Sequence, residues 1–125
     1  MYCFALIVWF CCSYHNSSLY DKEKKSLELY KKGIEAKQNQ EYLQAIDWFQ
    51  QALDIDPQSK SIRYHIIEMR FQTDNYQDLD WLIEYHQKHP SELDIIKLLR
   101  LYHCKQNTQK CSEYEKIIVF RENNK

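Results

Sequence analysis

The chain has 125 residues, a formal net charge of −1, a single glycine and two prolines. This length fits one domain or a short array of repeats. The scarcity of glycine and proline argues against a sheet-rich fold and favours helices nearly throughout. Because acidic and basic residues are interspersed, the composition shows none of the charge clustering typical of nucleic-acid binding, and we expect no nucleic-acid partner.

Residues 1–14 form a hydrophobic leader that differs in kind from the rest of the chain. Tyr2 to Cys12 is an unbroken apolar and aromatic run, too short to span about 30 Å of hydrocarbon as a helix. The run resembles the apolar part of a secretory signal peptide, although no basic residue precedes it. Cys11-Cys12 before Ser13 is also similar to the lipidation site of bacterial lipoproteins, with Cys12 as the candidate acceptor.

Four interpretations of this leader stay open: a lipoprotein signal, a plain cleaved signal, an uncleaved hydrophobic anchor, and a buried first helix. The first three place the protein at a membrane or in the periplasm or another extracytoplasmic space, rather than in the cytoplasm. Membrane contact would then run through the leader or its lipid. Residues 15–25 follow as a polar tether, and the repeat domain is predicted over residues 26–125.

The first helix of residues 26–59 is amphipathic and contains the chain's one glycine. Gly33 costs about 1 kcal/mol relative to alanine inside a helix. A glycine tolerated there indicates that a neighbouring helix passes too close for a side chain. The apolar stripe recurs at steps of three and four residues and consists of Leu27, Tyr30 and Ile34.

The second helix of this unit carries apolar residues at the same spacing and ends before a proline. Pro57 cannot continue a helix, and the residue before it is pushed towards an extended conformation. We therefore predict that this helix ends at about Ile55. Its apolar positions include two alanines seven residues apart, where a neighbouring helix can approach closely, and are Tyr42, Ala45, Ile46, Phe49, Ala52 and Leu53.

These positions resemble the tetratricopeptide repeat, a helix–turn–helix unit of about 34 residues. Departures occur at Lys32 and Ala36, and Gln40 stands where a glycine often closes the turn. The resemblance implies an all-α fold of stacked antiparallel helical hairpins in a right-handed superhelix, and a protein-binding function. The residues that carry it are Gly33, Tyr42, Ala45, Phe49, Ala52 and Pro57.

Two further units follow, over residues 60–90 and 91–122. Tyr76 stands one full repeat length after Tyr42, and we predict that the second helix of the middle unit begins there. The last unit ends without the polar helix that usually closes a repeat array. Its final helix exposes Ile117 to Phe120 on one side, so a homo-oligomer through the C-terminal helix is a further expectation.

In the tetratricopeptide family the first helix of each hairpin lines the concave face and supplies most contacts to the partner. Carried over by position, the resemblance implies a partner-binding face with apolar and aromatic character. Its candidate residues are Tyr30, Ile34 and Lys37 in the first unit, Tyr64, Glu68 and Phe71 in the second, and Lys97 and Leu101 in the third.

Beyond this face, the sequence contains few residues in arrangements typical of covalent links, metal sites or catalysis. Cys104 and Cys111 flank the last turn within a hairpin, and in an exported protein we expect them to form a disulfide. In a reducing compartment they would act as small apolar side chains. Their spacing is not a metal signature, and no phosphate-binding or hydrolase motif occurs. We therefore predict no cofactor, no metal site and no enzyme activity.

Two classes of function remain. One is an exported or membrane-tethered adaptor that binds a peptide or a partner protein. The alternative is an obligate structural or regulatory subunit that packs permanently against a larger complex.

Overall fold

The computed structural model describes the backbone of residues 2–125 and the side chains of residues 18–125. The described backbone contains helices and turns but no strand, so the prediction of an all-α fold is confirmed. Its helices are α1 (Tyr2–Gln38), α2 (Tyr42–Ile55), α3 (Lys60–Gln72), α4 (Leu79–Lys88), α5 (Leu93–Lys105) and α6 (Gln109–Asn123).

The turns inside the three helix–turn–helix units share one backbone geometry. Each contains a residue with left-handed φ that is not glycine: Gln40 at 62°, Asp74 at 59° and Asn107 at 52°. In each turn the next N–H bonds to a carbonyl five residues earlier, which is the Schellman closure of a helix. These bonds join Glu41 to Ala36 at 2.9 Å, Asn75 to Arg70 at 2.9 Å, and Thr108 to His103 at 3.0 Å.

The two connections between units also match each other, and both contain a proline. The N–H of Asp56 bonds to the carbonyl of Ala52 at 3.0 Å, and the N–H of His89 bonds to that of Tyr85 at 2.9 Å. Three residues further on, the N–H of Ser59 bonds back to the carbonyl of Asp56. In the other connection, the N–H of Glu92 bonds back to the carbonyl of His89 in the same way. The chain therefore repeats both of its turn types at a nearly constant spacing.

The structure confirms one helix boundary predicted from the sequence and corrects another. α2 ends at Ile55, as the Asp56-Pro57 pair predicts. α4 begins at Leu79 rather than at Tyr76, because the preceding turn has its own hydrogen bonds. The Tyr76 hydroxyl donates to Asp74 at 2.8 Å, and the Asn75 side chain accepts from the N–H of Gln77 at 3.2 Å.

A first hydrophobic cluster lies among α1, α2 and α3. Phe49 is fully buried at its centre, and Gly33 faces its ring so closely that a Cβ there would lie 2.6 Å from Phe49 Cε1. The close approach predicted from the glycine is therefore present. The other buried members are mostly small or branched: Leu29, Ala36, Ala45, Ala52, Ile62, Ile66 and Met69.

A second cluster lies among α3, α4, α5 and α6. Its buried members are Tyr64, Ile67, Phe71, Leu82, Ile95, Leu98 and Leu99, with several tyrosines packed around them. α3 contributes to both clusters through different residues, since it packs against α2 on one side and α5 on the other. A helix buried on two sides is what a stacked array requires.

The predicted polar tether, residues 15–25, is helical and continues into the repeat domain as part of α1, since this stretch contains no glycine or proline to interrupt a helix. The side chains of the leader, including the lipidation candidate Cys12, lie outside the described side chains. Within the described part of the chain, no helix combines the length and the apolarity needed to cross a membrane.

Candidate interaction surface

The first helices of the three units share one face of the molecule. On α1, Lys37 forms an ion pair with Glu68 of α3, with Nζ 2.6 Å from Oε2. The Tyr30 hydroxyl lies 3.1 Å from Nε2 of His65, also on α3. His65 and Glu68 in turn line a groove between α3 and α5. Four of the predicted partner-binding residues, Tyr30, Lys37, Tyr64 and Glu68, therefore belong to one connected surface.

The carboxylate of Glu68 is held in its ionised form by its neighbours. Burial on its own would raise the pKa of Glu68. Hydrogen bonds from His65 and Lys37, together with the charge of Lys37, outweigh this effect and lower the pKa below its usual value. Both charges sit at the surface with about 30% of each side chain exposed, 29% for Lys37 and 31% for Glu68. The pair therefore stays polar and accessible to a partner.

His65 is a central residue of this face that sequence reasoning missed. Its ring stacks on Phe49, with centroids 5.0 Å apart and an interplanar angle of 10°. It also contacts Tyr30 across the α1–α3 interface, 35 residues away in the chain. No local pattern marks such a contact, because it depends on how α1 and α3 are set against α2.

The groove between α3 and α5 has a volume of about 480 Å³. Tyr64, Glu68, Lys97 and Leu101 lie along it, so it gathers four of the eight predicted residues. Its remaining walls are polar and of mixed charge: Lys60, Ser61, His65, Gln72, Glu92, Asp94 and Arg100. The groove is therefore mainly polar, with Leu101 and the ring of Tyr64 as its apolar part, rather than the apolar and aromatic face that the resemblance implied.

Tyr64 and Glu92 join the two walls of this groove at one end. The Tyr64 hydroxyl donates a hydrogen bond to Glu92. Burial raises the pKa of Tyr64 well above its usual value, and the carboxylate of Glu92 adds to this effect. In return, the hydrogen bond from Tyr64 lowers the pKa of Glu92. This end of the groove is thus a fixed polar contact between α3 and the N-terminus of α5.

The α5 side of the groove is tied to α6 by charge pairs. Lys97 lies 3.0 Å from Glu122, and Arg100 lies 3.6 Å from Glu115. Both cations remain 40% or more exposed, with 44% for Lys97 and 40% for Arg100. Exposed pairs of this kind contribute little to stability, so a ligand could replace either carboxylate at small cost.

Two predicted residues do not offer an open surface. Phe71 is fully buried in the second cluster, where it packs against Tyr76 and Tyr102. The prediction that Phe71 contacts a partner is corrected on this point, because the α3–α5 approach covers its side chain. Ile34 is partly buried against the first cluster, so most of its surface serves packing.

A second groove, of about 680 Å³, lies where α1 meets the α2–α3 corner. Tyr30 and Ser26 face it from α1, and Ile55 and Ile62 from the corner. The Ser26 hydroxyl is itself committed, since it donates to the carbonyl of Ala52 at 3.2 Å. Leu19 and Leu27 leave half of their surfaces exposed at the rim.

The last hairpin has two further features. Cys104 and Cys111 are joined by a disulfide across the α5–α6 turn, with Cα atoms 4.7 Å apart. On the outer side of α6, Val119 is 56% and Phe120 is 69% exposed. α6 packs on α5 through Ile118 and leaves this outer side uncovered in the single chain.

Most of the ionisable side chains along the α3–α5 groove are engaged in ion pairs or hydrogen bonds with other side chains. A scan of the chain against protein-family models finds no match, and searches of the curated proteins and of the solved structures likewise find none.

Proposed function

We propose that this chain is a protein-interaction scaffold that resembles the tetratricopeptide repeat and holds a peptide or a partner protein on the face of its first helices. The observation that carries the proposal is the α3–α5 groove, which adjoins the α1–α3 contacts of Tyr30 and Lys37. The first helices lie side by side, with the groove between α3 and α5. An extended segment bound there would contact more than one unit at once.

The repetition of both turn types supports the repeat assignment. Three Schellman turns and two proline turns recur at a nearly constant spacing, and α3 is buried on two sides. Each hairpin leaves an apolar side that only its neighbour covers, which is the physical reason that such units stack. A right-handed superhelical arrangement of the three units is part of this proposal.

Site-specific photo-crosslinking tests the binding face. A crosslinking amino acid at Ser61, an exposed residue of the groove, is expected to capture a partner in the native host. The matched control places it at Gln51, an exposed residue of α2 outside the groove. Equal capture at both positions, or capture at Gln51 alone, would contradict the assignment of the groove as the binding face.

A second candidate function is an obligate subunit of a larger complex, and the exposed outer side of α6 favours it. Size-exclusion chromatography of residues 19–125 distinguishes the two. An adaptor is expected to elute as a monomer. An obligate subunit, or a homo-oligomer that forms through α6, is expected to elute as a larger species that Phe120→Ser returns to the monomer.

The leader is proposed to tether the protein to a membrane, with Cys12 as the candidate lipid acceptor. The disulfide in the last hairpin supports an extracytoplasmic location, because disulfides persist in oxidising compartments. The mass of the mature protein from its native host tests this directly. A chain that begins at Cys12 and carries a diacylglycerol is expected, and a chain of unmodified full mass would contradict both cleavage and lipidation.

A further inference from the structure

We infer that the α5–α6 turn, once its disulfide is reduced, is a binding site for a thiophilic divalent cation such as Zn²⁺. The ligands would be the thiolates of Cys104 and Cys111 and the carboxylate of Glu115. In the folded chain the two sulfur atoms and a carboxylate oxygen of Glu115 all lie within 4.8 Å of one another. This inference departs from the expectation of no metal site, which was drawn from cysteine spacing alone and did not include Glu115. It does not rest on the proposed scaffold function.

The three side chains are brought together by secondary structure and not only by the sulfur–sulfur bond. Cys111 and Glu115 stand four residues apart on α6 and so project from the same side of that helix. Cys104 lies in the last turn of α5, and the Schellman closure at Asn107 folds α6 back against it.

The same turn closes the other two hairpins, at Gln40 and Asp74, without any disulfide. We therefore expect the turn to persist in the reduced chain and to keep both thiols at its mouth. A cation would then meet ligands that are already close, and the ordering cost of binding would be small.

The chemistry of this set suits zinc. Two thiolates and a carboxylate are among the ligands that Zn²⁺ takes, at about 2.3 Å for sulfur and about 2.0–2.2 Å for oxygen. A tetrahedral site separates its two sulfurs by about 3.8 Å, which rotation of the cysteine side chains supplies once their bond is broken. Water would complete the fourth position, as in zinc sites with three protein ligands.

The disulfide-bonded state and the zinc-bound state exclude each other, because both use the sulfur atoms of Cys104 and Cys111. A dithiol reductant transfers two electrons and two protons to the Cys104–Cys111 bond and is itself oxidised to a disulfide. Zinc binding then displaces the two thiol protons to solvent. Glu115 is already a carboxylate, and it would exchange its partner Arg100, 3.6 Å away, for the metal.

Arg100 is the group that opposes the cation. The Arg100 side chain is 40% exposed and that of Glu115 is 53% exposed, and ion pairs in such exposed positions are weak. The competition nevertheless makes a specific prediction: removing the charge of Arg100 should tighten metal binding, whereas removing the carboxylate of Glu115 should weaken it.

Cobalt(II) titration of the reduced chain provides the test, since thiolate-bound Co²⁺ in a tetrahedral site absorbs strongly in the visible. The starting protein carries Cys3→Ser, Cys11→Ser and Cys12→Ser, so that only Cys104 and Cys111 remain. We expect one equivalent of Co²⁺ to bind and one equivalent of Zn²⁺ to displace it. Glu115→Gln should weaken the affinity at least tenfold, Arg100→Gln should strengthen it, and Cys111→Ser should abolish the band.

Circular dichroism in reductant, with and without metal, shows whether the helices persist. Absence of the cobalt band from a reduced chain that is helical would overturn the site. A band that Cys111→Ser leaves unchanged would do the same. Equal affinities for the Glu115→Gln variant and its parent would remove the carboxylate from the ligand set, and a reduced chain that unfolds and stays unfolded with metal would refute the preformed turn.

Discussion

The two hydrophobic clusters are held together in different ways. In the first, α1 and α2 meet at Gly33, Ala45 and Ala52, with the ring of Phe49 fully buried between them. In the second, α3, α4, α5 and α6 meet through bulky residues, and the tyrosine rings of Tyr76 and Tyr102 pack edge to face 5.1 Å apart.

Polar and covalent links accompany the bulkier cluster. Arg70 forms an ion pair with Asp78 at 2.9 Å across the α3–α4 turn, and the disulfide closes the α5–α6 turn. Lys105 donates to the carbonyls of Phe71 and Gln72, at 2.8 and 3.0 Å, and so caps the end of α3.

The first cluster also has polar links, in the Lys37–Glu68 ion pair and the hydrogen bond from Ser26. The difference is that small residues let α1 and α2 approach directly, whereas the second cluster adds a covalent link at one helix turn.

The largest expected effect is at the centre of the first cluster. Phe49→Ala should destabilise the fold by about 3–5 kcal/mol, because closely packed helices cannot collapse into the cavity left behind. Phe120→Ala is the matched control: the same change at a residue 69% exposed should stay within about 0.5 kcal/mol. Chemical denaturation measures both, and similar losses for the two would contradict the assignment of Phe49 to the core.

Breaking the disulfide should produce the next largest loss of stability, and this loss should arise at the second cluster alone. A bridge with a sequence separation of 7 should contribute about 2–3 kcal/mol by restricting the unfolded chain. Unfolding midpoints with and without reductant measure this contribution. The double variant Cys104→Ser, Cys111→Ser should be insensitive to reductant, and a parent chain equally insensitive would show that the bridge does not form.

Gly33→Ala tests the direct helix contact. The new methyl group would lie 2.6 Å from the ring of Phe49, and we expect a destabilisation of about 1–3 kcal/mol despite the better helix propensity of alanine. Shortening the ring side chain should relieve the clash, so Phe49→Leu should cost less in the Gly33→Ala background than in the parent. Additive losses in this double-mutant cycle would show that the two residues do not compete for space.

The Lys37–Glu68 pair predicts a smaller effect that depends on pH. Because the pKa of Glu68 is lower in the folded chain than its usual 4.5, its stabilisation is present above that value and is lost as the pH falls through the folded pKa. Lys37→Met should therefore cost about 1 kcal/mol or less at neutral pH, and this cost should shrink progressively as the pH falls below 4.5 and Glu68 becomes protonated. Lys88→Met, which removes the exposed partner of Glu84, is the control and should change stability less across the same pH range.

The smallest expected effect is a gain in stability rather than a loss. Gln40 is forced into the left-handed conformation, so Gln40→Gly should stabilise the first hairpin by up to about 1 kcal/mol. The same substitution inside α2, Gln51→Gly, should destabilise by about 1 kcal/mol. Thermal unfolding distinguishes the two, and a loss of stability at both positions would contradict the role given to the turn.

Much of the architecture was predictable because it depends on short-range physics. The spacing of apolar residues indicated the helices, and Pro57 placed the end of α2. Gly33 indicated that another helix passes close by, and the structure identifies it as α2, which carries Phe49. The start of α4 was wrong by three residues, since the hydrogen bonds of Asn75 and Tyr76 compete with helix formation and periodicity does not register them.

The candidate interaction surface was predictable only in outline. Helical position selected the first-helix residues, and Tyr64, Glu68, Lys97 and Leu101 do line one groove. The same rule placed Phe71 on the surface and passed over His65, because position on a helix does not show which side its neighbours will cover.

By itself, the sequence determined that this chain is helical, where α2 ends, and that its helical units recur with nearly the same length. These properties follow from backbone preferences and from patterns within a few turns of helix. Only the tertiary structure decided which residues meet between units: His65 with Tyr30, Lys37 with Glu68, and Glu115 beside the two cysteines. Such contacts join residues on different helices, and their geometry depends on how the units pack.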